Sequence, residues 1–252
     1  MSPLKQFFSA SNRIDTISDH DKKQLNSYHE IIYAFSRTTN ASIYIIDYEK
    51  KEFEYVSENP LFLCGHSAEE VMQLGYAFYL KNVPSEDLQL LIQINKIGFD
   101  FFDRIPVAER RFYSISYDFH LITDEKERKL VNQKLTPIFL TETGKIWKAL
   151  CIVTHSHEKV AGNIKVYKKW GLDILRYDLL QGRWKTNKKI DLTFRDVQIL
   201  ELSMRSYTIN EIAAELFLSP DTIKFHRRKL FKKLDVSSMS EAIFFAEANK
   251  LI

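Results

Sequence analysis

The basic residues near the carboxyl end of the chain are the side chains whose types and spacing could do chemistry. The stretch from Pro220 to Leu234 holds one acid, Asp221, and six basic residues, a net charge of +5: Lys224, Arg227, Arg228, Lys229, Lys232 and Lys233. The remainder of residues 191–252 has three basic residues against eight acids, a net charge of −5. Clustered Lys and Arg neutralise phosphates, so this stretch predicts contact with nucleic acid, although the 252-residue chain as a whole is only +3.

Helical periodicity divides this basic stretch into two faces. At about 100° per residue, Ile223, Leu230 and Leu234 fall within about 40° of each other, which indicates a buried side. The opposite side combines charge with one aromatic: Asp221, Lys224, Phe225, Arg228 and Lys232. In a major groove, Phe225 could pack on thymine methyls and Arg228 could donate two hydrogen bonds to guanine O6 and N7. The alternative is a solvated charged face with one stray aromatic.

The segment before the basic helix indicates how that helix is positioned. Residues 208–216 place Ile209, Ile212, Ala213 and Leu216 on one apolar stripe, and a tight turn then leads to Ser219. Four helix starts are predicted by capping chemistry: Thr193 with Asp196, Thr208 with Glu211, Ser219 before Pro220, and Ser238 with Glu241. A supporting helix, a tight turn and a basic helix within a four-helix bundle predict a helix-turn-helix domain.

The last sixty residues resemble the DNA-binding domain of the LuxR (GerE) family, from about Leu192 to Ala246. The motifs that carry the resemblance are Leu192-Thr193-Phe-Arg195-Asp-Val197, Glu211-Ile212-Ala213, Leu218-Ser219-Pro-Asp-Thr222-Ile223-Lys224-Phe-His226 and Lys233-Leu234. Ser206 and Asp235 stand where the family has glycine. The promoter-binding region of sigma factors is built similarly, and it is the nearest rival for this half alone.

The LuxR resemblance implies a role for individual residues of the basic helix. It implies that Lys224, Phe225 and Arg228 face the bases. It places Thr222, Arg227 and Lys232 near phosphates. His226 lies about 100° or more from the base face, which favours a helix-packing histidine over a DNA contact.

The first half of the chain has the patterns of a small α+β domain. Two strands are predicted at Ser42–Ile46 and Glu52–Ser57, then helices at about Ala68–Leu74 and Glu86–Ile97. Three further strands follow at Arg111–Leu121, Leu130–Thr141 and Ile146–Thr154. In the first of these three, Tyr113, Ile115, Tyr117, Phe119 and Leu121 alternate with polar residues, which predicts a half-buried strand. The fold class is therefore α+β, with a five-stranded antiparallel sheet joined to a C-terminal all-α bundle.

Two motifs of this half resemble a PAS domain. Asn59 to Val71 contains a Gly65 turn before a capped Ser67-Ala-Glu-Glu70 helix, and Val83-Pro84-Ser85-Glu86-Asp87 is similar to the family's His-Pro-Glu-Asp turn. The resemblance covers about residues 40–157. It implies a domain that senses a ligand, light or redox state, or that dimerises. The flavin-binding subfamily's Asn-Cys-Arg-Phe-Leu-Gln segment does not occur, so no cofactor is expected.

The expected organisation has four parts. An amphipathic N-terminal helix (1–40, helical from Ile17 to Phe35) precedes the PAS-like domain (41–157), a connector (158–189) and the helix-turn-helix domain (190–252). The connector is expected to hold an extra hairpin, Ile164–Trp170 with Leu172–Leu179, and a polar linker at Thr186–Lys189. The stripe Leu25, Tyr28, Ile32 and Phe35 is expected to pack against a second copy or against the domain's own sheet.

Candidates for catalysis and metal binding are few. Cys64 and Cys151 have no redox or metal spacing and are expected to be small buried residues. His155 and His157 would share a face of a strand, but they would need further metal ligands, and two solvated histidines are the favoured interpretation. The sequence has no P-loop, nucleophile elbow or dinucleotide fingerprint, so no enzymatic activity is expected. The N-terminus has no apolar signal-peptide region, and the expected location is the cytoplasm.

The sequence therefore predicts a one-component transcription regulator with no phosphorylation control. A PAS-like domain would sense a signal or dimerise, and two DNA-binding domains would meet a two-fold operator on double-stranded DNA. A homodimer is expected, RNA polymerase is a further candidate partner, and no membrane is involved. The alternatives are a PAS signalling adaptor whose basic helix binds a protein, a sigma-factor-like promoter binder, and an enzyme of unknown reaction.

Overall fold

The fold is described from a computed structural model, which covers residue 7 and ranges 12–14, 16–18, 28–171, 173–188, 190–248 and 251–252. The chain divides into two compact units, Met1–Asn187 and Lys188–Ile252. None of the helices in these ranges is long and apolar enough to cross a bilayer.

The first unit is built on an antiparallel sheet. In the described part of the chain this sheet has eight strands, in the order β2-β1-β5-β4-β3-β6-β7-β8. The strands are β1 (Ser42–Asp47), β2 (Glu52–Val56), β3 (Tyr113–Ile122), β4 (Arg128–Leu140), β5 (Ile146–His155), β6 (Gly162–Lys168), β7 (Asp173–Asp178) and β8 (Arg183–Lys188). The predicted sheet of the PAS-like domain is confirmed as β2-β1-β5-β4-β3.

The helices of the first unit precede β1 in sequence or lie between β2 and β3. They are α1 (Tyr28–Ser36), α2 (Pro60–Leu63), α3 (Ala68–Leu74), α4 (Ala77–Asn82) and α5 (Ser85–Asp103), followed by a 3₁₀ helix at Val107–Phe112. The predicted capping box of α3 is present, since Ser67 accepts from the Glu70 amide and Glu70 accepts from the Ser67 amide. One apolar core packs α2–α5 against the sheet. Helix α5 continues to Asp103, beyond its predicted end at Ile97, because Phe99 and Phe102 extend its buried stripe.

The sheet is larger than the five strands predicted, because the connector adds to it. Strand β6 pairs with β3, and β6 and β7 form the expected hairpin. The linker prediction for Thr186–Lys189 was wrong over residues 186–188, which belong to β8. Trp184 packs on the core of the first unit, with its ring 4.8 Å from that of Phe101. This contact between residues far apart in sequence stabilises the polar strand β8 at the edge of the sheet.

Strand β3 is more buried than its alternation indicates. Tyr117, Phe119 and Leu121 are buried as predicted, but Ser116 and Asp118 on the other face are only 2% and 1% exposed. Asp118 accepts hydrogen bonds from Ser156 (2.7 Å) and Asn132 (2.9 Å). These hydrogen bonds offset the free-energy cost of burying the polar groups. Polar residues on this face of β3 therefore do not indicate exposure to solvent.

The N-terminal helix is described over Tyr28–Ser36. Ile17 and Ser18, at the start of its predicted span, are not helical, and Leu25 of the predicted stripe lies outside the described residues. Tyr28 is buried over β2 and β5, where its hydroxyl donates to Glu54. Lys148 lies in the same cluster, 2.5 Å from Glu54 Oε1 and 3.1 Å from Asp47 Oδ2. This first turn of α1 is therefore fixed to its own sheet.

The second unit is the predicted bundle of four helices. They are α6 (Phe194–Met204), α7 (Ile209–Glu215), α8 (Pro220–Leu234) and α9 (Met239–Ala248). All four predicted N-terminal caps form: Thr193, Thr208, Ser219 and Ser238 each accept a hydrogen bond from a backbone amide three residues on. The fold class is α+β with an all-α C-terminal unit, as predicted.

Candidate nucleic-acid interface

Helix α8 is anchored by its apolar side. Ile223, Leu230 and Leu234 are 0%, 0% and 2% exposed, so the predicted inner face is confirmed. Ile223 packs with α6 and α7, and Leu230 and Leu234 pack with α6 and α9. The other side of the helix is consequently turned away from the bundle.

Helix α7 and the turn after it fix where α8 begins. Ile212 and Ala213 are buried in the core shared with Ile223. The turn passes through Phe217, whose φ is +55°. The Leu218 amide donates to the Ala213 carbonyl (2.8 Å), and Ser219 then caps α8. This is the helix-turn-helix arrangement predicted from the sequence.

The two positions at which glycine is replaced both have left-handed backbone. Ser206 has φ +64° in the turn after α6, and Asp235 has φ +56° at the end of α8. Glycine adopts this region without steric cost, whereas other residues do so at a cost of about 1 kcal/mol. The loops therefore keep a conformation that suits glycine while using Ser and Asp.

The three predicted base-facing residues share the outward side of α8. Lys224 and Arg228 are exposed, and Phe225 remains 49% exposed. Lys224 Nζ lies 3.0 Å from Asp221 Oδ1. Lys229, to which the sequence assigned no role, places its ammonium 5.0 Å from the centroid of the Phe225 ring. A cation–π contact of this kind orients an otherwise solvated aromatic ring.

The three predicted phosphate residues are placed differently from one another. Lys232 is exposed on the outward side. Arg227 is half-buried, with its guanidinium carbon 5.9 Å from the centroid of the Phe231 ring. Thr222 lies in the first turn, and its hydroxyl is 2.8 Å from that of the cap Ser219. His226 is half-buried beside Phe225, in agreement with a packing role.

An ion pair that the sequence did not reveal connects the end of α8 to the start of α6. Lys233 donates to the carboxylate of Asp196, and its Nζ also donates to the Asp191 carbonyl at 3.2 Å. Burial alone would raise the pKa of Asp196, but hydrogen bonds from Lys233 and Thr193 outweigh it and hold that pKa below its ordinary value. Lys233 thus positions the basic helix, a role that its place among the cations of α8 does not reveal.

Replacing Lys233 with Met is expected to destabilise the second unit by about 1–3 kcal/mol at pH 7, because a buried carboxylate loses its cation. A carboxyl whose pKa is lowered by folding stabilises the fold above its unfolded pKa, and this stabilisation is lost as pH falls through the folded pKa. The difference from the unmodified chain should therefore shrink below about pH 4. Urea unfolding, followed by the circular dichroism signal of the helices at several pH values, measures this difference in stability.

The matched control for that change is Lys232→Met, one residue earlier and exposed. It is expected to shift stability by less than about 0.5 kcal/mol. Equal losses in the two variants would show that the Lys233–Asp196 ion pair does not hold the helix.

The interior of the first unit contains a small apolar cavity. Its volume is about 50 Å³, and its wall includes Tyr113, Ile115 and Tyr117 of β3. Phe119 and Trp147 are buried elsewhere in the unit, and Trp147 lies beside Phe139 with ring centroids 6.1 Å apart. Such a space is much smaller than the cavities that hold drug-sized ligands.

The remaining candidates do not converge on a reactive site. Cys64 and Cys151 are both buried, and burial raises the pKa of each thiol to about 12, so neither is a thiolate at neutral pH. His155 ends β5, and burial together with Lys134 lowers the pKa of His157 to about 4. Across the described ranges, no group of three His, Cys, Asp or Glu side chains is arranged to hold a metal ion.

The second unit is a helix-turn-helix domain that exposes a basic face on its second motif helix. The family profile of bacterial regulatory proteins of the luxR type matches residues 191–246. The chain is 38% identical to the spore germination protein GerE of Bacillus subtilis over 52 residues, 21% of this chain and 70% of that protein. The chain belongs to the luxR family.

Another relative and a solved structure are also similar to this chain. The transcriptional regulatory protein LiaR of Bacillus subtilis is 39% identical over 61 residues, which cover 24% of this chain and 29% of that protein. The chain thus spans less than a third of LiaR. A solved structure of the VqmA dimer of Vibrio cholerae is 16% identical and has a TM-score of 0.35, over 87% of this chain and 86% of that one.

Proposed function

We propose that this protein is a one-component transcription regulator that binds double-stranded DNA through α8. The observation that carries the proposal is the division of this helix into a buried face and an exposed basic face that contains Phe225. An aromatic ring gains no stability from exposure to water among cations. In the major groove the same ring could pack on thymine methyls while the cations contact phosphates. The match to the luxR family of bacterial regulatory proteins and the similarity to the transcriptional regulatory protein LiaR support the same activity.

Six residues of α8 would contact the DNA, three at the bases and three at the phosphates. Lys224, Phe225 and Arg228 would face base edges, since they lie on the outward side near the start of the helix, the part that reaches bases in this motif. Thr222, Arg227 and Lys232 would contact phosphates and set the register of the helix along the duplex: they carry no sequence information themselves.

Binding of the full chain to random duplex DNA, measured by fluorescence anisotropy at stepped salt concentrations, tests this function. The affinity is expected to fall linearly with salt on a log–log plot, by about 0.9 per phosphate contact. Selection from a random pool is then expected to enrich a two-fold sequence. A folded chain that binds no duplex at low salt would favour the adaptor alternative instead.

We assign the PAS-like unit to signal sensing or dimerisation. The expected bounds of this domain, 41–157, would extend to residue 187, because β6, β7 and most of β8 belong to the same unit. We also place the protein in the cytoplasm, where its DNA partner is, and assign it no enzymatic reaction. RNA polymerase remains a candidate partner for a regulator of this kind.

The protein is expected to be a homodimer that uses the exposed side of α1. Tyr28 is fixed to the sheet, but Ile31 and Phe35, which lie about one turn apart on the same side, are 69% and 47% exposed. Apolar side chains on successive turns of a helix are costly to leave in water and indicate a partner surface. Replacing Ile31 and Phe35 with Glu is expected to convert a dimer into a monomer in sedimentation, whereas Glu30→Gln on the same helix should not. An unmodified chain that is monomeric at tens of micromolar, with and without DNA, contradicts this proposal.

A further inference from the structure

A second basic surface lies on the first unit, where β3 begins and β6 ends. Its three cations are Arg111, Lys168 and Lys169, and all three are exposed. Lys168 is paired with Glu109 at 2.7 Å, whereas neither Arg111 nor Lys169 has a carboxylate partner in the described part of the chain. The surface is therefore positively charged and accessible to an anionic partner.

Three aromatic rings lie among these cations. Each ring has one cation near its face: Lys168 Nζ is 5.5 Å from the ring centroid of Tyr113, the Arg111 guanidinium carbon is 5.9 Å from that of Phe112, and Lys169 Nζ is 4.4 Å from that of Trp170. Cation–π contacts of this kind orient the ring and the cation relative to each other. These six residues are called the Trp170 patch below.

Trp170 is the most exposed ring of the patch. It is 79% exposed, and its ring centroid lies 5.7 Å from that of Phe112. Its φ is +61°, a left-handed conformation that a bulky residue adopts only at a cost. Backbone outliers of this kind are concentrated at binding and catalytic sites. A large apolar ring that stays in water at such a position, next to a second ring and among cations, indicates a binding surface.

The patch is part of a fixed framework. The Lys169 amide donates to the Phe112 carbonyl at 2.8 Å, which joins the two chain segments beyond the pairing of β3 with β6. Arg110, next to the patch, is buried and donates to the Gly144 carbonyl at 2.7 Å. The backbone that carries the rings and cations is therefore already in place, which reduces the entropy lost on binding.

Single-stranded nucleic acid has the chemistry that matches this combination of charges and rings. Its phosphates pair with cations, and its unpaired bases stack on aromatic side chains. A duplex has the same phosphates but keeps its bases stacked inside, and an acidic peptide has carboxylates without bases. Arg111 lies beside Phe112 and Lys169 beside Trp170, so cations and rings alternate on the patch as phosphates and bases alternate along a strand.

We propose that the Trp170 patch binds single-stranded nucleic acid. One base stacks on Trp170 and a neighbouring base on Phe112, while Arg111 and Lys169 contact the phosphates. Binding is tolerant of base sequence, because every base has a flat face that can stack. This inference concerns the first unit and does not rest on DNA binding by α8.

Octathymidylate is the probe, and the intrinsic tryptophan fluorescence of the full chain is the readout. Residues 188–252 contain no Trp, so binding of the strand to α8 gives no direct signal in this measurement. Stacking of a base on an indole quenches its emission, and Trp170 is expected to be quenched. Trp170→Ala is expected to abolish the quenching. Leu180→Ala is the matched control, since Leu180 is 99% exposed in the turn between β7 and β8 of the same sheet, and it should retain the quenching.

Two competitors separate base stacking from simple charge attraction. An abasic octamer carries the same phosphates without bases, and an octaglutamate peptide carries a similar charge. Each is expected to bind the patch at least about tenfold more weakly than octathymidylate, because neither can stack on the rings. This comparison uses the unmodified chain, so it stands even where a variant folds poorly.

Four results would overturn the proposal. They are an unmodified chain whose fluorescence ignores octathymidylate, quenching that persists in a folded Trp170→Ala, an abasic strand that competes on equal terms, and an octaglutamate peptide that does so. The last result would instead identify the patch as a surface for an acidic protein segment.

Discussion

Arg228→Ala is expected to weaken binding to the selected operator by about 1–3 kcal/mol and to relax the preference at one base pair. The reason is that Arg228 is exposed on the outward side of α8, where its guanidinium can donate two hydrogen bonds to one guanine. Binding to unrelated duplex should change much less than binding to the operator. Anisotropy titrations of both duplexes at one salt concentration give the two losses directly.

Two variants of the same helix serve as controls for that result. Lys232→Ala is expected to weaken binding to all duplexes alike and to reduce the salt slope by about one, since it removes a phosphate contact. Phe225→Ala should reduce mainly the preference for thymine. If Arg228→Ala and Phe225→Ala both leave affinity and sequence preference unchanged in a folded protein, α8 does not read the bases.

Ile223→Ala is expected to cost about 2–5 kcal/mol of stability, the range for a buried aliphatic residue cut back to Ala. Ile223 is 0% exposed and joins α8 to Ile199 of α6 and Ile212 of α7. In a unit of about 65 residues such a loss is a large part of the total free energy of unfolding. Urea unfolding followed by helical circular dichroism should show an early transition for this unit.

Unfolding of the second unit in Ile223→Ala should also abolish binding to every duplex. Arg228→Ala, by contrast, should weaken mainly binding to the operator. Ile223→Val retains most of the side chain and should cost only about 0.5–1.5 kcal/mol. A stability of Ile223→Ala equal to that of the unmodified chain would contradict the assignment of this residue to the core.

Local chemistry made the second unit predictable from sequence. A capping box involves residues three apart, so Thr193, Thr208 and Ser219 mark helix starts without knowledge of the tertiary fold. The spacing of Ile223, Leu230 and Leu234 likewise indicates which side of α8 is buried. These are the features that the structure reproduces most closely.

Contacts between distant residues could not be predicted in this way. Lys233 looks like any other cation of α8, and only the fold brings it to Asp196, 37 positions earlier. Strand β8 has a polar sequence and is held through Trp184. Phe7 gives no local signal of its burial beside Tyr79. In each case the partner lies far away in sequence, where periodicity and capping carry no information.

Methylation interference on the selected operator tests the central proposal, that α8 enters the major groove, most directly. Methylation of guanine N7 modifies the major groove, and methylation of adenine N3 modifies the minor groove. The proposal predicts that N7 methylation blocks binding at specific guanines, and that Arg228→Ala abolishes the block at one guanine per half-site while the others persist. Interference only from adenine N3 methylation, or an N7 pattern identical in the two proteins, would contradict it.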